Sequence, residues 1–415
     1  MKSLKLLAAG LLAAACISSA SATNLGNAYL TGSSAFRVAT LTAVQNLFTP
    51  ATLQQGCVGA SLTGSTYAIF KGTLAGTSNT VTIVTDFTGS ASGVQAVVQT
   101  TTNGIPGTAN IVQLAFLDPA TSLAAAPSTT TGLTLGSFTH AAGIAMSDVN
   151  FSLTPFTRPT DLTPNEAASS PVGVIQFYWL KNNGASASIS DLSNQVAKGL
   201  AAGGLPLSFF SGNQSDVSTQ VRIVGRNPDS GTRLTAYEEC GYGALTAAAQ
   251  YFPSGATAGT NGVGQAAGSG DITSLTAWQA ETINGINYSA GQSGFASGGT
   301  LANVMIRTSS AGPIICYLGK SDAANAIAGG ATILSYNGVL PEAPSATSFP
   351  SFTNGKYSYW SSEHLYYNNQ STGTGTVAEL LATGIAVPAV AGLSGIANGD
   401  MNVNRGGEGQ VIVPN

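Results

Sequence analysis

The sequence predicts an α/β protein, because short β-branched segments alternate with segments that have helical spacing or composition. Residues 80–85 are almost wholly β-branched, and a turn of small residues leads from them into the helix-like segment 94–98. Residues 221–224 repeat the pattern, with a turn and then an Ala-rich segment that predicts a helix over 232–250. The chain has 415 residues, of which 43% are hydrophobic and only 8% charged. It is therefore expected to fold around a sizeable core.

The same patterns place the remaining elements along the chain. Further strands are predicted at 24–30, 111–117, 143–148, 313–318 and 332–336, with an extended aromatic stretch at 357–367 and a central parallel strand at 172–179. Further helices are predicted at 36–48, 191–200, 275–282, 301–307, 321–328 and 377–385. Residues 252–300 are dense in Gly, Ser, Ala and Thr, which predicts a long surface insert.

The first 22 residues have the pattern of a signal peptide. Lys2 and Lys5 precede an apolar run over 6–17, and Ala20-Ser21-Ala22 forms a cleavage site. Lipidation at Cys16 is the alternative, although Ala13 stands where a large aliphatic residue is usual. The mature protein is expected to be periplasmic or extracellular, with no membrane insertion after cleavage, because no other apolar run has the roughly 20 residues of a spanning helix. The net charge of −4 and the lack of a basic run make nucleic acid a poor partner.

Few residues are available for metal or thiol chemistry. Cleavage leaves Cys57, Cys240 and Cys316, which permits one disulfide; Cys240 with Cys316 is a candidate pair, but the spacing leaves the pairing open. His140 and His364 are the only histidines, and no metal-binding motif occurs. No metal or other cofactor is therefore expected.

The segment 221–233 (VRIVGRNPDSGTR) has the features of an anion-binding turn. Asp229 or Ser230 is a good N-cap for the helix that follows, so the N–H groups of Ser230, Gly231 and Thr232 should lie free at the positive end of its dipole. Arg226 adds a cation that can grip an oxyanion with two parallel hydrogen bonds. The alternative is an ordinary capped helix after a strand.

Three other segments join this one in a family resemblance. Residues 30–36 (LTGSSAF), 89–94 (GSASGV), 147–148 (SD) and 226–232 (RNPDSGT) resemble, in their order, the ligand-binding segments of periplasmic phosphate-binding proteins of ABC transporters. The resemblance implies a type 2 binding-protein clamp with a double crossing between its lobes, 23–171 plus 358–415 and 172–357. It assigns to the site Ser34, Ala35, Phe36, Ser90, Asp148, Arg226, Ser230, Gly231 and Thr232. The family usually has Ser or Thr where this chain has Ala35, so either Ser34 supplies that hydroxyl or only a backbone N–H remains.

The resemblance implies a secreted solute-binding protein that captures phosphate, or a similar protonated oxyanion, with an ABC permease as a partner and no covalent chemistry. An ionised Asp148 can only accept a hydrogen bond, so it would favour a ligand that carries a proton over sulfate. Two alternatives stay open. One is a secreted surface or matrix protein that keeps the scaffold without a transport role. The other is a hydrolase with Ser230 as nucleophile, which would need His140 or His364 beside it.

Overall fold

The fold is known from a computed structural model, which describes residues 22–99, 113–155, 164–257, 259, 261, 266–283, 285–368 and 372–415. The predicted signal peptide, apart from Ala22, lies outside the described residues. Residues 111 and 112 of the predicted strand at 111–117 also lie outside them.

Most strands are short. In chain order they are β1 (Asn24–Gly32), β2 (Gln54–Cys57), β3 (Tyr67–Thr73), β4 (Thr80–Asp86), β5 (Leu114–Ala115), β6 (Thr129–Thr130), β7 (Thr139–His140), β8 (Ile144–Ser147), β9 (Asn165–Glu166), β10 (Gly173–Lys181), β11 (Asp191–Leu192), β12 (Leu205–Pro206), β13 (Gln220–Ile223), β14 (Tyr251–Thr257), β15 (Ser269–Ala277), β16 (Glu281–Ile283), β17 (Ile286–Tyr288), β18 (Ile314–Gly319), β19 (Thr332–Ile333), β20 (Ser335–Tyr336), β21 (Trp360–Tyr367), β22 (Val403–Asn404) and β23 (Val413–Pro414).

The helices alternate with these strands. They are α1 (Arg37–Asn46), α2 (Ser90–Gln99), α3 (Asn194–Ala202), α4 (Ser208–Ser211), α5 (Gly231–Glu239), α6 (Gly298–Met305), α7 (Lys320–Ala328), α8 (Pro350–Thr353), α9 (Thr372–Ile385) and α10 (Pro388–Ala391), with short 3-10 turns at Phe151–Leu153, Gln214–Asp216 and Asn398–Asp400. The predicted α/β class is confirmed.

One large mixed sheet organises the described chain. Its strand order is β12-β13-β18-β10-β21-β8-β1-β4-β3-β2-β6, with β19 beside β10 and β9 beside β21. β4 and β8 flank β1 in parallel, and β13 lies parallel to β18. The carboxyl ends of parallel strands lie at one edge of a sheet, which is where ligands bind in open α/β folds.

Two long strands connect the two parallel groups. The first part of β10 pairs with β21, and its second part pairs with β18, while the second part of β21 pairs with β8. β10 is fully buried, as its apolar sequence predicts, but all its pairings are antiparallel, so the expectation of a parallel strand there is wrong. An apolar run indicates burial on both faces, which is common in parallel sheets but is met here by an antiparallel strand in the middle of the sheet. β10 begins at Gly173 and β21 at Trp360, close to the predicted crossings near 172 and 357; the double crossing and the division into two lobes stay predictions.

The Gly/Ser-rich segment 252–300 differs most from expectation. It forms two β-hairpins, β14 with β15 and β16 with β17, so the helix predicted at 275–282 is wrong. The segment is also not a surface excursion throughout. Trp278 and Phe295 are completely buried, with ring centroids 4.9 Å apart. Pairing with β14 overrides the helical spacing of a few apolar residues in the segment.

Two helix boundaries also differ from prediction. α5 ends at Glu239 rather than at residue 250, because Gly241 and Gly243 adopt positive φ angles of 71° and 98° and break the helix. α3 begins after the N-cap Ser193, whose hydroxyl accepts the Val196 N–H, whereas Asp191 belongs to β11. A free N-cap hydroxyl defines a helix start better than a nearby acid does.

The three described cysteines are buried free thiols, so the candidate Cys240–Cys316 disulfide is not formed. Across the described ranges, no helix combines the length and apolar character needed to cross a membrane.

Candidate functional site

A small polar pocket opens beyond the carboxyl ends of β1, β4, β8, β13 and β18. It encloses about 350 Å³ of empty space, part of which is open to solvent. Its walls come from Ser34, Ala35, Gly89, Ser90, Asp148, Arg226, Ser230, Gly231, Thr232, Gly319, Ser321 and Asp322. Five stretches that are distant along the chain therefore meet at one point.

Eight of the nine residues that the resemblance assigns to the site lie in this pocket: Ser34, Ala35, Ser90, Asp148, Arg226, Ser230, Gly231 and Thr232. Phe36 is the exception. Its ring is fully buried in the core, against two glycines. A Cβ would come within 2.6 Å of the ring at Gly173 and within 2.9 Å of it at Gly395. Phe36 therefore anchors the turn before α1 rather than lining the pocket.

Helix N-termini surround the pocket. α2 begins at Ser90, α5 at Gly231 and α7 at Lys320, and the turn containing Ala35 leads into α1. Among the described residues, the backbone N–H groups of Ala35, Ser90, Gly231 and Thr232 have no hydrogen-bond partner. Unpaired N–H groups at helix N-termini, together with the helix dipoles, favour an anion.

Ser230 is the N-cap of α5, one of the two residues predicted for that role. Its hydroxyl oxygen accepts the N–H of Arg233 at 3.4 Å. Its own N–H donates to the carbonyl oxygen of Asn227 at 3.2 Å, so the prediction that this N–H is free is wrong. The donors left at this turn are the N–H groups of Gly231 and Thr232, together with the Thr232 hydroxyl.

Two backbone carbonyls fix the guanidinium group of Arg226. Nε donates to Phe295 O at 3.1 Å, and Nη2 donates to Ala296 O at 2.7 Å. The residue is only 5% exposed, and no carboxylate of the described chain lies within 4.0 Å of its nitrogens. Burial lowers the pKa of Arg226, whereas the charges of Asp322 and Asp148 raise it. The remaining nitrogen, Nη1, has no hydrogen-bond partner in the described structure, so it is available to a ligand.

Polar side chains also hold the backbone of Arg226. Its carbonyl oxygen accepts from Gln250 Nε2 at 2.9 Å and from Arg233 Nη1 at 3.0 Å, while its N–H donates to the Tyr317 hydroxyl at 3.3 Å. That hydroxyl in turn donates to Gln250 Oε1 at 3.0 Å. Such a closed network fixes a functional side chain in one position.

Asp148 follows β8 and lies against the start of α5. Its Oδ1 accepts a short hydrogen bond from the Ser90 hydroxyl, and the residue is only 2% exposed. A Cβ at position 231 would overlap that carboxylate, so only glycine allows this approach. Burial raises the pKa of Asp148, while the Ser90 hydrogen bond and the charge of Arg226 lower it. The pocket therefore holds one strong acceptor among many donors.

Sequence reasoning missed four lining residues: Gly89, Gly319, Ser321 and Asp322. Gly319 ends the buried strand β18 and caps α7, and Ser321 and Asp322 lie in the first turn of α7, so the strand, small-residue turn and helix start seen at Ser90 and Ser230 occur here again. Repetition of that pattern was the signal that would have found them.

The hydrolase hypothesis gains no support from the histidines. His140 lies 2.8 Å from the Ala141 carbonyl through Nδ1 and stacks on Tyr29, and His364 Nδ1 lies 2.7 Å from Glu166 Oε1. Neither ring lines the pocket. No group of residues suited to a metal ion occurs in the described part of the chain.

Comparison with known proteins gives structural likenesses only. No family model matches the sequence, and no curated protein matches it. A putative phosphate ABC transporter substrate-binding protein with bound phosphate from Clostridium perfringens has 11% identity and a TM-score of 0.41, covering 89% of this chain and 98% of that chain. PstS from Borrelia burgdorferi has 10% identity and a TM-score of 0.39, covering 89% and 97%. A possible phosphate binding protein from Planctomyces limnophilus has 10% identity and a TM-score of 0.38, covering 90% and 93%. The similarity is distant, so the function must be argued from the pocket.

Proposed function

We propose that the protein binds phosphate, or a similar oxyanion that carries a proton, in the pocket beyond β1, β4, β8, β13 and β18. One observation carries the proposal: three helix N-termini and the turn before a fourth helix meet there around Arg226, whose charge has no ion-pair partner within 4.0 Å in the described chain. The activity is capture without covalent chemistry. Secretion, two closing lobes and delivery to an ABC permease are further parts of the proposal.

The number of donors suits a small oxyanion. Backbone N–H groups of Ala35, Ser90, Gly231 and Thr232 are without partners in the described structure, and Ser34 and Thr232 add hydroxyls. Hydrogen bonds to a charged group contribute about 1.5–3 kcal/mol each, so a few of them can offset the desolvation of a buried anion. Because most of these donors are neutral, several of them can surround one ion without repelling each other.

The single arginine and Asp148 set the kind of anion. Arg226 neutralises part of the ligand charge, and Asp148 in its ionised form can only accept, so it requires a hydrogen-bond donor from the ligand. Phosphate carries a proton near neutral pH and sulfate does not, so the pocket favours phosphate.

Isothermal titration with inorganic phosphate, after any bound anion has been stripped, tests the proposal. We expect wild type to bind with one phosphate per chain and Arg226→Met to lose at least about a hundredfold in affinity, since a charged hydrogen-bonding group contributes on the order of 3 kcal/mol.

Arg222→Met is the matched control, because the substitution removes the same charge at a residue outside the pocket. Arg222 lies on β13, with its guanidinium group over the ring of Tyr251. It should bind as wild type does. Absence of heat with the wild-type protein at millimolar phosphate would contradict the proposal and favour the surface-protein hypothesis.

A further inference from the structure

A second carboxylate, that of Asp322, lines the same pocket. It lies in the first turn of α7 and is partly buried, and its Oδ2 lies directly against Gly298 at the start of α6. The resemblance to phosphate-binding proteins assigned only one carboxylate, Asp148, to the site.

No hydrogen bond and no close ion pair within the described chain fixes this side chain. An acid in a first helical turn usually accepts a backbone N–H or pairs with a cation. The Asp322 carboxylate makes no hydrogen bond to any described residue, and no cation of the described chain lies within 4.0 Å of it. The protein therefore supplies no hydrogen-bond donor to this carboxylate among the described residues, and the carboxylate lines the pocket where a ligand could supply one.

The charged groups around Asp322 come from several elements. Arg226 precedes α5, Arg37 opens α1, and Asp148 lies in the same pocket. On its own helix, Lys320 is turned away, with Nζ 4.7 Å from the centroid of the Phe349 ring. Burial raises the pKa of Asp322, and the two arginines lower it.

Asp148 also interacts with two acidic residues outside the pocket lining. Glu408 raises its pKa, and the buried Glu363, which accepts from the Ser33 hydroxyl at 3.3 Å, interacts with it electrostatically. These groups tune Asp148 rather than Asp322. The pocket itself therefore offers two carboxylates and one largely buried guanidinium group.

We propose that Asp322 is a second proton acceptor for the ligand, so that the pocket takes phosphate in its dihydrogen form. This inference rests on the proposed function. One P–OH donates to Asp148 and the other to Asp322, while the two unprotonated oxygens receive Arg226 and the backbone N–H groups. The hydrogen phosphate dianion has only one P–OH, so it would leave Asp322 facing an unprotonated oxygen of like charge.

The consequence is a proton coupled to binding. Where the dianion predominates in solution, each binding event must take up about one proton, and the affinity must fall about tenfold for each pH unit gained. At a pH where dihydrogen phosphate already predominates, uptake disappears. The bound complex has the same proton count whether the proton resides on phosphate or on the carboxylate.

Titration calorimetry with inorganic phosphate at about pH 8.5, in two buffers with different heats of ionisation, measures this uptake directly. We expect about one proton per phosphate for wild type. For Asp322→Asn we expect uptake near zero and an affinity that no longer falls with pH, because the amide accepts the dianion without a charge clash. Asp400→Asn removes the same charge from an exposed site and should match wild type.

The outcomes separate this inference from the function on which it rests. Phosphate heat with no proton uptake in wild type, or with equal uptake in Asp322→Asn, overturns the role of Asp322 and leaves phosphate binding intact. An Asp400→Asn variant that loses uptake as fully as Asp322→Asn also overturns it. Absence of phosphate heat in wild type at both about pH 6 and about pH 8.5 removes the proposed function itself. The wild-type measurement stands even if a variant fails to fold.

Discussion

The two ends of α5 each have a buried arginine, held in opposite ways. At the C-terminal end, Arg405 Nη1 lies 2.7 Å from Glu239 Oε2, and its guanidinium carbon lies 4.1 Å from the ring centroid of Trp360. At the N-terminal end, Arg226 is held by two neutral carbonyl oxygens, those of Phe295 and Ala296. Arg405 has an ion-pair partner within the protein, whereas Arg226 has no carboxylate within 4.0 Å among the described residues.

The difference between Arg405 and Arg226 shows that a buried charge can serve either stability or binding, depending on what holds it. A buried ion pair loses stability strongly when one partner is removed, because the other charge is left in a medium of low polarity. A buried cation held by dipoles keeps its attraction for an external anion. Mutations at the two sites should therefore separate into effects on folding and effects on binding.

The largest expected effect on stability is at Arg405, which pairs with Glu239. Arg405→Met leaves Glu239 buried without its cation, so the free energy of unfolding should fall by about 3–5 kcal/mol. Urea denaturation measures this loss. Arg405→Met combined with Glu239→Gln should recover most of it, and phosphate affinity of the folded protein should stay at the wild-type value. A double variant as unstable as the single one would contradict the ion-pair explanation.

Asp86 extends the comparison to a buried carboxylate with no cation within 4.0 Å in the described chain. Burial raises its pKa from 3.8 to about 7, and the residue is 1% exposed. Between these values the folded protein holds a proton that the unfolded chain releases. The free energy of unfolding should therefore decrease as pH rises from about 4 to about 7, by up to about 4 kcal/mol.

Asp86→Asn should make this slope shallower by the share that Asp86 contributes, which denaturant titrations at several pH values would detect. The control is Asp400→Asn, at an exposed acid, which should keep it. A wild-type stability that rises over the same interval would show that other groups dominate.

Gly231→Ala tests how closely the start of α5 must approach Asp148. The added methyl group would overlap the carboxylate, so we expect a loss of about 1–3 kcal/mol in the free energy of unfolding and at least about a tenfold loss in phosphate affinity. Gly136→Ala is the matched control, because a Cβ there meets open space. Equal binding by the two variants would remove Asp148 from the ligand contacts.

The smallest change is expected from Asp148→Asn, which keeps the shape and removes the acceptor charge. Competition binding should show weaker discrimination of phosphate over sulfate, by about tenfold or more, because the amide can donate to an oxyanion without a proton. Unchanged discrimination would mean that Asp148 does not read the ligand proton. Ser90→Ala should change the same ratio less, since it keeps the backbone N–H and removes only the hydroxyl, which acts on the ligand through Asp148.

Much of the pocket could be predicted because its parts have local signals. Ser90 and the Ser230 turn are each marked by a β-branched strand, a turn of small residues and a helix start. These signals depend on backbone sterics and helix capping, which operate over a few residues. The family resemblance supplied the order of the segments. Their convergence then followed from the parallel strands β1, β4 and β8.

The rest depended on contacts between distant residues. Nothing near Arg226 in the sequence indicates that Phe295 and Ala296 fix its side chain, and the composition of 252–300 predicted a surface insert. β10 is antiparallel because of the direction of its neighbours β18 and β21, and its own apolar sequence does not show which strands those neighbours are. The inward turn of Phe36 depends on the space left by Gly173 and Gly395.

The two carbonyl oxygens that grip Arg226 come just after the hairpins β14–β17. If those hairpins were deleted to make a smaller protein, we expect the Arg226 guanidinium group to lose its fixed position, although none of the deleted residues lines the pocket. A smaller version of this protein would have to keep these two hairpins or provide another pair of acceptor oxygens for the Arg226 guanidinium group.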